Sequence, residues 1–503
     1  MECDLVRTYE KNSSYVRTHF CSSRLSVPWT ICLPWPINLK QYWPADSRHY
    51  FRNTAMRMSY KKCILSCWAL SLADAYVGFS PVQKPSRIFE TSRRALLDEK
   101  VGSWEDIETQ LGEAYYEKHP NSIDSVLNPS KPEFSTERPT FFRERHGWCP
   151  YSERVWLALE LAGVEYDTIR IDNTGHGPRP SYYSGQTPQM KWPEGRTQGE
   201  SMDLVEEIDR RFCAGSLQCD SSSVQKVIQQ FSRIFPRARP SSRAAYLFQY
   251  NGEPLWKSTF EETLQNTDEL LSQTEGPFFC GLEVTAADIA WAPFLERYRY
   301  QLPCLHQGLD PANPSDYPHL AKWYEAMDRI PEYACRVKGN ASSWRKVLTM
   351  AGFGNAGVPT EIKGNMDDLV AKEETIAQEC IDLDVWKQHA SKYPYVASTP
   401  YLEVASIITR NHEAICQDII KQSGKPAWNN WGLPDSLSSA DLAIRKLVKL
   451  LIDGGDINSL HPGGEDVGVL ATFLDERMCV PRDMGFMSAA VIKNLSVQLR
   501  TGS

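Results

Sequence analysis

The stretch His146-Gly147-Trp148-Cys149-Pro150-Tyr151-Ser152-Glu153-Arg154-Val155-Trp156, running on to Gly163, constrains this chain more than any other. A short apolar run, Thr140-Phe141-Phe142, precedes it. Behind Pro150, apolar residues fall at Val155, Trp156, Leu159 and Ala162, the spacing of one helix face. Proline suits the first helical position, where its missing N–H costs nothing. Cys149 is therefore expected at the junction of a strand and a helix N-terminus. Free N–H groups and the helix dipole there favour negative charge, so the thiol is expected to ionise more readily than a free cysteine. The alternative is one more buried, inert thiol, and Cys-Pro on its own favours that alternative.

The pattern around this junction is βαβ-like. Tyr166 to Ile171 alternates as a second strand, and 173–186 reads as a loop or a degenerate helix. Pro188 stands at the start of a strand running to Trp192, an allowed place for proline. A turn and a short strand, Thr197 to Gly199, lead to Glu200-Ser201. These open a helix with apolar Leu204, Val205, Ile208 and Phe212. The chain beyond is almost entirely helical, with helices expected over 222–235, 241–250, 255–273, 317–329 and 366–389. Thr285 to Asp288 reads as a capping box, as does Ser438 to Asp441 before 442–452, and a last helix spans 484–499. Residues 340–365 loosen, with several glycines. Upstream, Ser103 to Asp106 opens a helix to about Tyr116, and 118–139 reads as a linker.

The first residues read as a leader. Lys61 and Lys62 flank an apolar stretch from Cys63 to Leu72, and Ala73-Asp74-Ala75 gives a small-x-small cleavage pattern. A basic, Ser/Thr-bearing segment follows to Leu97. If translation starts at Met56 or Met58, this resembles the bipartite plastid leader of algae with complex plastids. Otherwise the stretch is a small helix and the protein is expected in the cytoplasm.

At 503 residues the chain has room for several domains. Its net charge of −8, with no Lys/Arg block interleaved with aromatics, gives no sign of nucleic acid as a partner. Fourteen cysteines without a Cys-x-x-Cys pair, and dispersed histidines, argue against a zinc site or a dithiol redox motif. No apolar run reaches the length of a membrane span, so no membrane is expected as a partner.

Taken in order, these features resemble the glutathione transferase superfamily. They are Cys149-Pro150 at a strand–helix junction, Thr187-Pro188 entering a strand, Glu200-Ser201 at a helix start, the Thr285–Asp288 capping box, and Tyr317-Pro318-His319-Leu320 with Trp323. The cysteine-type classes (omega, lambda and dehydroascorbate-reductase-like) carry a similar Cys-Pro-x-x-x-Arg run. The resemblance implies a thioredoxin-like glutathione-binding domain at 138–214 and an all-α domain at 215–347. A helical extension of unassigned role would follow over 366–503, with a leader or disordered region over 1–97 and a helix and linker over 98–137. It implies Cys149 as catalytic nucleophile and Thr187, Pro188, Glu200 and Ser201 as the glutathione contacts. A cis Pro188 would turn the Thr187 main chain outward to pair with the tripeptide. Ser201 would offer a hydroxyl and free N–H groups to the γ-glutamyl carboxylate, and Glu200 would accept from its amine.

Ser152 occupies the place of a resolving cysteine, so monothiol chemistry is implied. Tyr182, Tyr183 and Gln186 stand where a basic residue often meets the glycyl carboxylate. Glutathione would be a substrate, with no metal. The partner would be a small oxidised molecule such as dehydroascorbate or a glutathionylated protein, and the family pattern admits a homodimer. Ordinary conjugation would be weak. The rival reading is a non-catalytic binding or docking protein whose extensions are the functional parts. Phe231, Tyr246, Phe248 and Tyr250 are expected in the core, and His146 in an exposed loop.

Overall fold

The computed structural model describes residues 101–112, 122–173, 179–236, 246–353, 357–375, 381–428, 431–457 and 465–501. The leader expected over 1–97 lies outside them. Ser103 opens helix α1 (Trp104–Leu111) with a complete capping box, and Gly112 caps its end, short of Tyr116. This helix packs on helices from the far end of the chain, not on the sheet that follows it.

The sheet has five strands in the order β1-β3-β2-β4-β5: β1 (Ser122–Asp124), β2 (Thr140–Glu144), β3 (Asp167–Ile171), β4 (Gln189–Lys191) and β5 (Thr197–Gln198). β1 and β2 run parallel to β3, β4 antiparallel to β2, and β5 antiparallel to β4. Alternate side chains of β2 serve opposite faces. Phe141 packs with Val155, Leu159 and Met190. Phe142 packs with Ile169, Ile171 and Tyr183. Strand β1 corrects the linker reading of 118–139, because Ile123 pairs opposite Ile169. Three residues carry too little periodicity to be read as a strand in advance.

Helix α2 (Pro150–Ala162) covers one face of the sheet together with α3 (Ser201–Ile208). Pro150 is at its first position, and Gly163 ends it in the left-handed conformation that glycine adopts without penalty. The helical layer that follows is arranged around α6. It contains α4 (Ser222–Ile234), α5 (Lys257–Leu271), α6 (Ala286–Leu305) and α7 (Pro318–Met327). The capping box of α6 forms as expected: the Thr285 N–H and hydroxyl both donate to Asp288 Oδ2, at 2.9 and 3.0 Å. The helix expected over 241–250 does not form where the chain is described. Residues 246–255 turn back on themselves, with Phe248 bridging to Pro254. The loosening expected over 340–365 is also corrected, since α8 (Ala341–Ala351) and the start of α9 (Thr360–Thr375) occupy it. Asn340 caps α8 by accepting from the Ser343 N–H, Gly352 ends that helix, and Gly364 sits within α9 without breaking it.

A second core lies beyond. Helices α11 (Pro400–Ser423), α12 (Leu437–Ile452), α13 (Glu465–Arg477) and α14 (Phe486–Thr501) enclose it with α1. In α12 the buried residues Ala440, Ile444, Leu447 and Leu451 form one stripe, each large one contributing about 1.5–3 kcal/mol by burial. Trp104 of α1 stacks on His412 at 4.1 Å, and its indole donates to Asp441 at 2.8 Å. Helix α10 (Leu383–Lys392) lies at the seam between the two cores, in a cluster with Ala334, Cys335, Tyr393 and Met487.

Candidate active site

Strand order brings the expected site residues to one end of the sheet. Cys149 follows the end of β2. Because β4 is antiparallel to β2, the start of β4, with Thr187-Pro188 before it, lies beside that end. Because β5 is antiparallel to β4, Glu200 and Ser201 arrive there too. The Thr187–Pro188 bond is cis. The Thr187 hydroxyl accepts from Asn173 Nδ2 at 2.6 Å. Glu200 is exposed and is the N-cap of α3, with a left-handed φ of +60°, while Ser201 behind it is buried.

Arg154 locks these elements together. It lies one turn along α2 from Cys149 and is buried. Its Nε and Nη2 donate to the Ala290 carbonyl of α6 at 2.9 and 2.7 Å. Its Nη1 lies 3.5 Å from Ser201 Oγ. The guanidinium also sits over the rings of Tyr151, Phe231 and Phe294. The Cys-Pro-x-x-x-Arg spacing was the sequence signal for this residue. Asn173 and Arg179 had no such signal. Arg179 donates to the Gly185 carbonyl at 2.6 Å and to Asn173 Oδ1 at 3.3 Å. A cation therefore does stand in the loop before Thr187, eight positions upstream. Tyr183 stacks on Phe142 at 5.4 Å, and its buried hydroxyl has no partner among the described residues.

Cys149 is the N-cap of α2, as expected, but it is only 3% exposed. This reverses the expected ionisation. Burial pushes the Cys149 thiol up, and the N–H groups of Ser152 and Tyr151 at the helix start pull the other way without prevailing. The nearby Glu144 carboxylate adds to the rise. That carboxylate shapes the loop, accepting from the His146 N–H at 3.0 Å and the Trp148 N–H at 2.8 Å. Arg297 of α6 donates to the Trp148 carbonyl at 3.0 Å and pairs with Glu153 at 2.8 Å, both side chains buried. Burial lifts Glu153 well above the usual carboxylate range despite Arg297 beside it, and Glu296 adds to the lift. His146 is not a bare loop residue: it stacks on Trp148 at 4.5 Å.

Of the aromatics expected in the core, Phe248 is buried. Phe231 and Tyr246 are half-buried around Arg154 and Tyr151. Tyr250 is 77% exposed on the turn, which corrects its placement. Among the described residues no group of three or more His, Cys, Asp or Glu side chains could hold a metal ion, and no helix is long and apolar enough to cross a membrane.

Comparison with known proteins gives the same domain order. The family model for the glutathione S-transferase N-terminal domain matches residues 148–211, and that for the C-terminal domain matches 241–326. Protein IN2-1 homolog B of Oryza sativa subsp. indica is 29% identical over 195 residues, covering 37% of this chain and 75% of that protein. Glutathione S-transferase L2, chloroplastic, of Arabidopsis thaliana is 28% identical over 193 residues, covering 37% of this chain and 62% of that protein. The solved structure of Chlamydomonas reinhardtii dehydroascorbate reductase is 22% identical, with 46% of this chain and 99% of that one aligned and a TM-score of 0.30.

Proposed function

Because the chain belongs to the glutathione transferase superfamily through its thioredoxin-like and helical domains, we propose that it is a cysteine-type, glutathione-dependent thiol transferase or reductase. Cys149 is the nucleophile, and Thr187, Pro188, Glu200 and Ser201 bind glutathione. One observation carries this reading: the strand order gathers a cysteine at a helix start, a cis-proline step and a helix-opening Glu-Ser pair at one end of the sheet.

The main chain of Thr187 has no hydrogen-bond partner among the described residues, so it is available to the cysteinyl backbone of the tripeptide. The first N–H groups of α3 and the Ser201 hydroxyl meet the γ-glutamyl carboxylate, and Glu200 accepts from its amine. Arg179, which donates to the Gly185 carbonyl, would meet the glycyl carboxylate.

In the first step the Cys149 thiolate attacks the glutathionyl sulfur of a mixed disulfide. A Cys149–glutathione disulfide forms, and the acceptor leaves as its thiolate, which takes up a proton. A second glutathione thiolate then attacks that disulfide on its glutathionyl sulfur. This releases oxidised glutathione and restores the Cys149 thiolate. Ser152 supplies no second thiol, so the external glutathione must do this. With dehydroascorbate, two glutathione thiols supply the two electrons and two protons and leave as the disulfide. Burial opposes the thiolate in the structure described. Ligand entry that loosens the 146–148 loop rehydrates the thiol and leaves the Ser152 and Tyr151 N–H groups as the stronger influence.

The burial of Cys149 favours a second reading, a transferase-like binding or docking protein with an inert thiol. Incubation with oxidised glutathione, followed by peptide mass spectrometry, separates the two. A glutathione adduct on Cys149 and loss of thiol-transferase activity in Cys149→Ser support the enzyme. No adduct, together with no retention on immobilised glutathione, supports the binding protein. The expected leader and the chloroplastic designation of the Arabidopsis relative favour a plastid destination. A mature N-terminus near Tyr76 or later is expected on sequencing, and an intact Met1 overturns this.

A further inference from the structure

The turn from Cys479 to Asp483 joins α13 to α14, outside both matched domains, yet it packs on the three residues that precede Cys149. The Arg482 guanidinium lies 3.3 Å from His146 Nδ1. The Pro481 ring lies 3.6 Å from where a Cβ on Gly147 would sit. Gly147 has φ +76°, so a side chain there would be strained. Cys479 shares a buried cluster with Trp148, Trp344 and Val347.

The turn is pinned on its own account. The Cys479 N–H donates to Asp483 Oδ2 at 2.8 Å, and the Val480 N–H donates to Ser343 Oγ at 2.8 Å. Lys346 holds the carbonyls of Glu476 and Met478 at 2.9 and 3.1 Å. Just beyond, a Cβ on Gly485 would overlap the Cys335 carbonyl, so the chain passes that point only because it is glycine. The other flank of the loop is held from β1, where Asp124 pairs with Arg145 at 2.7 Å. Segments from before and after the sheet's β2, at 124 and 479–483, therefore grip Arg145 to Trp148.

We propose that the 479–483 turn is the outer wall of the Cys149 site and acts as a size filter. It admits small oxidised acceptors and low-molecular-weight disulfides and holds off disulfides carried on folded proteins. Thiolate attack runs in line with the sulfur–sulfur bond, so the acceptor's bulk must lie directly beyond the attacked sulfur. A disulfide on a folded surface brings that surface with it, into space that Pro481 and Arg482 occupy. A small acceptor brings no such surface, while Thr187 and Glu200 hold the glutathionyl half of the disulfide. The choice of acceptor rests on Cys149 being the nucleophile; the filter itself is measured without glutathione.

The test uses the full chain and two thiol reagents, iodoacetamide and a maleimide carrying a long polyethylene glycol chain, with Cys149 labelling read at the peptide level. Relative to the same reagents on an unfolded control, wild-type Cys149 is expected to favour the small reagent by about ten-fold or more. Arg482→Ala and Pro481→Gly are expected to raise labelling by the large reagent about ten-fold and by the small one far less, and Arg482→Lys to retain most of the filter. With activity present, Arg482→Ala should raise turnover of glutathionylated serum albumin relative to hydroxyethyl disulfide.

Equal normalised labelling of wild-type Cys149 by both reagents overturns the proposal. So do folded variants that change neither rate, or both alike. Labelling of the wild type by neither reagent, and of the variants by both, shows a closed cover and also overturns the filter. Should the variants fail to fold, the wild-type ratio still decides. If the ratio behaves as expected and oxidised glutathione leaves no adduct, the wall stands and the catalytic reading fails.

Discussion

The two cores of this chain are built by different means. Around α6, the core is threaded with buried polar anchors. Asp288 accepts from Thr285, Phe279 and Trp323. Glu296 accepts from Tyr333, Gly339 and Trp344, and Arg154 and Arg297 reach across to α2. The core of α11 to α14 is mostly aliphatic, with the buried Asp418 paired to the partly exposed Arg477. Directional bonds fix the position of individual side chains, whereas apolar contact mainly requires matching volume and shape. The polar-threaded core is also the one that holds the Cys149 loop. The difference is what a site needs from its scaffold, set against what a packing unit needs.

The largest test of this contrast compares two arginines. Arg297→Met leaves the buried Glu153 carboxyl and the Trp148 carbonyl both without their donor. A loss of about 3–5 kcal/mol is expected by urea unfolding, from the two buried acceptors left unpaired. Arg477 pairs with Asp418 at 3.1 Å in the second core, with 13% of its side chain exposed. Arg477→Met should cost about 1–2 kcal/mol, because water partly compensates. Equal losses would erase the contrast.

The seam between the cores gives a pH-dependent test. His389 is fully buried, and neither ring nitrogen has a partner among the described residues. Burial pushes it down to about 3, and the cationic Arg336 and Lys392 oppose the proton further. The unfolded chain therefore binds this proton more readily than the folded one. Stability is full above the ordinary value of 6.5 and is lost as pH falls from there toward 3. Between pH 7 and pH 5 the loss from this group should be about 2 kcal/mol. His389→Phe should flatten that part of the profile, and an unchanged slope would show that the ring is hydrated in solution.

How much of this was legible in advance follows the range of each interaction. Local devices were readable: Pro150 and Gly163 bounding α2, the Thr285 capping box, and Thr187-Pro188 before a strand. These depend on neighbours within a few residues. The burial of Cys149 was not readable from its neighbours alone, because Arg297 and the 479–483 turn, from distant parts of the chain, act together with the nearby Glu144 on its loop. The raised thiol is thus a tertiary effect overriding a correct local one. The turn at 246–255 overlaps the helix expected over 241–250: its aromatics Tyr246, Phe248 and Tyr250 recur every second residue, a spacing that does not mark a helix face, while the glycines around α8 hid a helix that Asn340 caps. Strand β1 and its Asp124–Arg145 pair were hidden by brevity.

The smallest effects are at two helix starts, and they sharpen the contrast between local and tertiary control. Thr285 is 1% exposed and both gives and receives in a capping box with the fully buried Asp288. Thr285→Ala removes a cap and strips one donor from a buried carboxylate, so a loss near the upper end of capping effects, about 2 kcal/mol, is expected. For α12 the sequence pointed to Ser438–Asp441, but the N-cap is Ser436, whose hydroxyl accepts from the Ser439 N–H at 3.4 Å. That bond is long and half-exposed, so Ser436→Ala should cost only about 0.5–1 kcal/mol. Ser438 lies within the first helical turn and not at the cap, so Ser438→Ala should cost less than Ser436→Ala. Thermal melts of the three variants check the order. A Ser438→Ala loss exceeding that of Ser436→Ala would move the start of α12 two residues on and put the capping box where the sequence pointed.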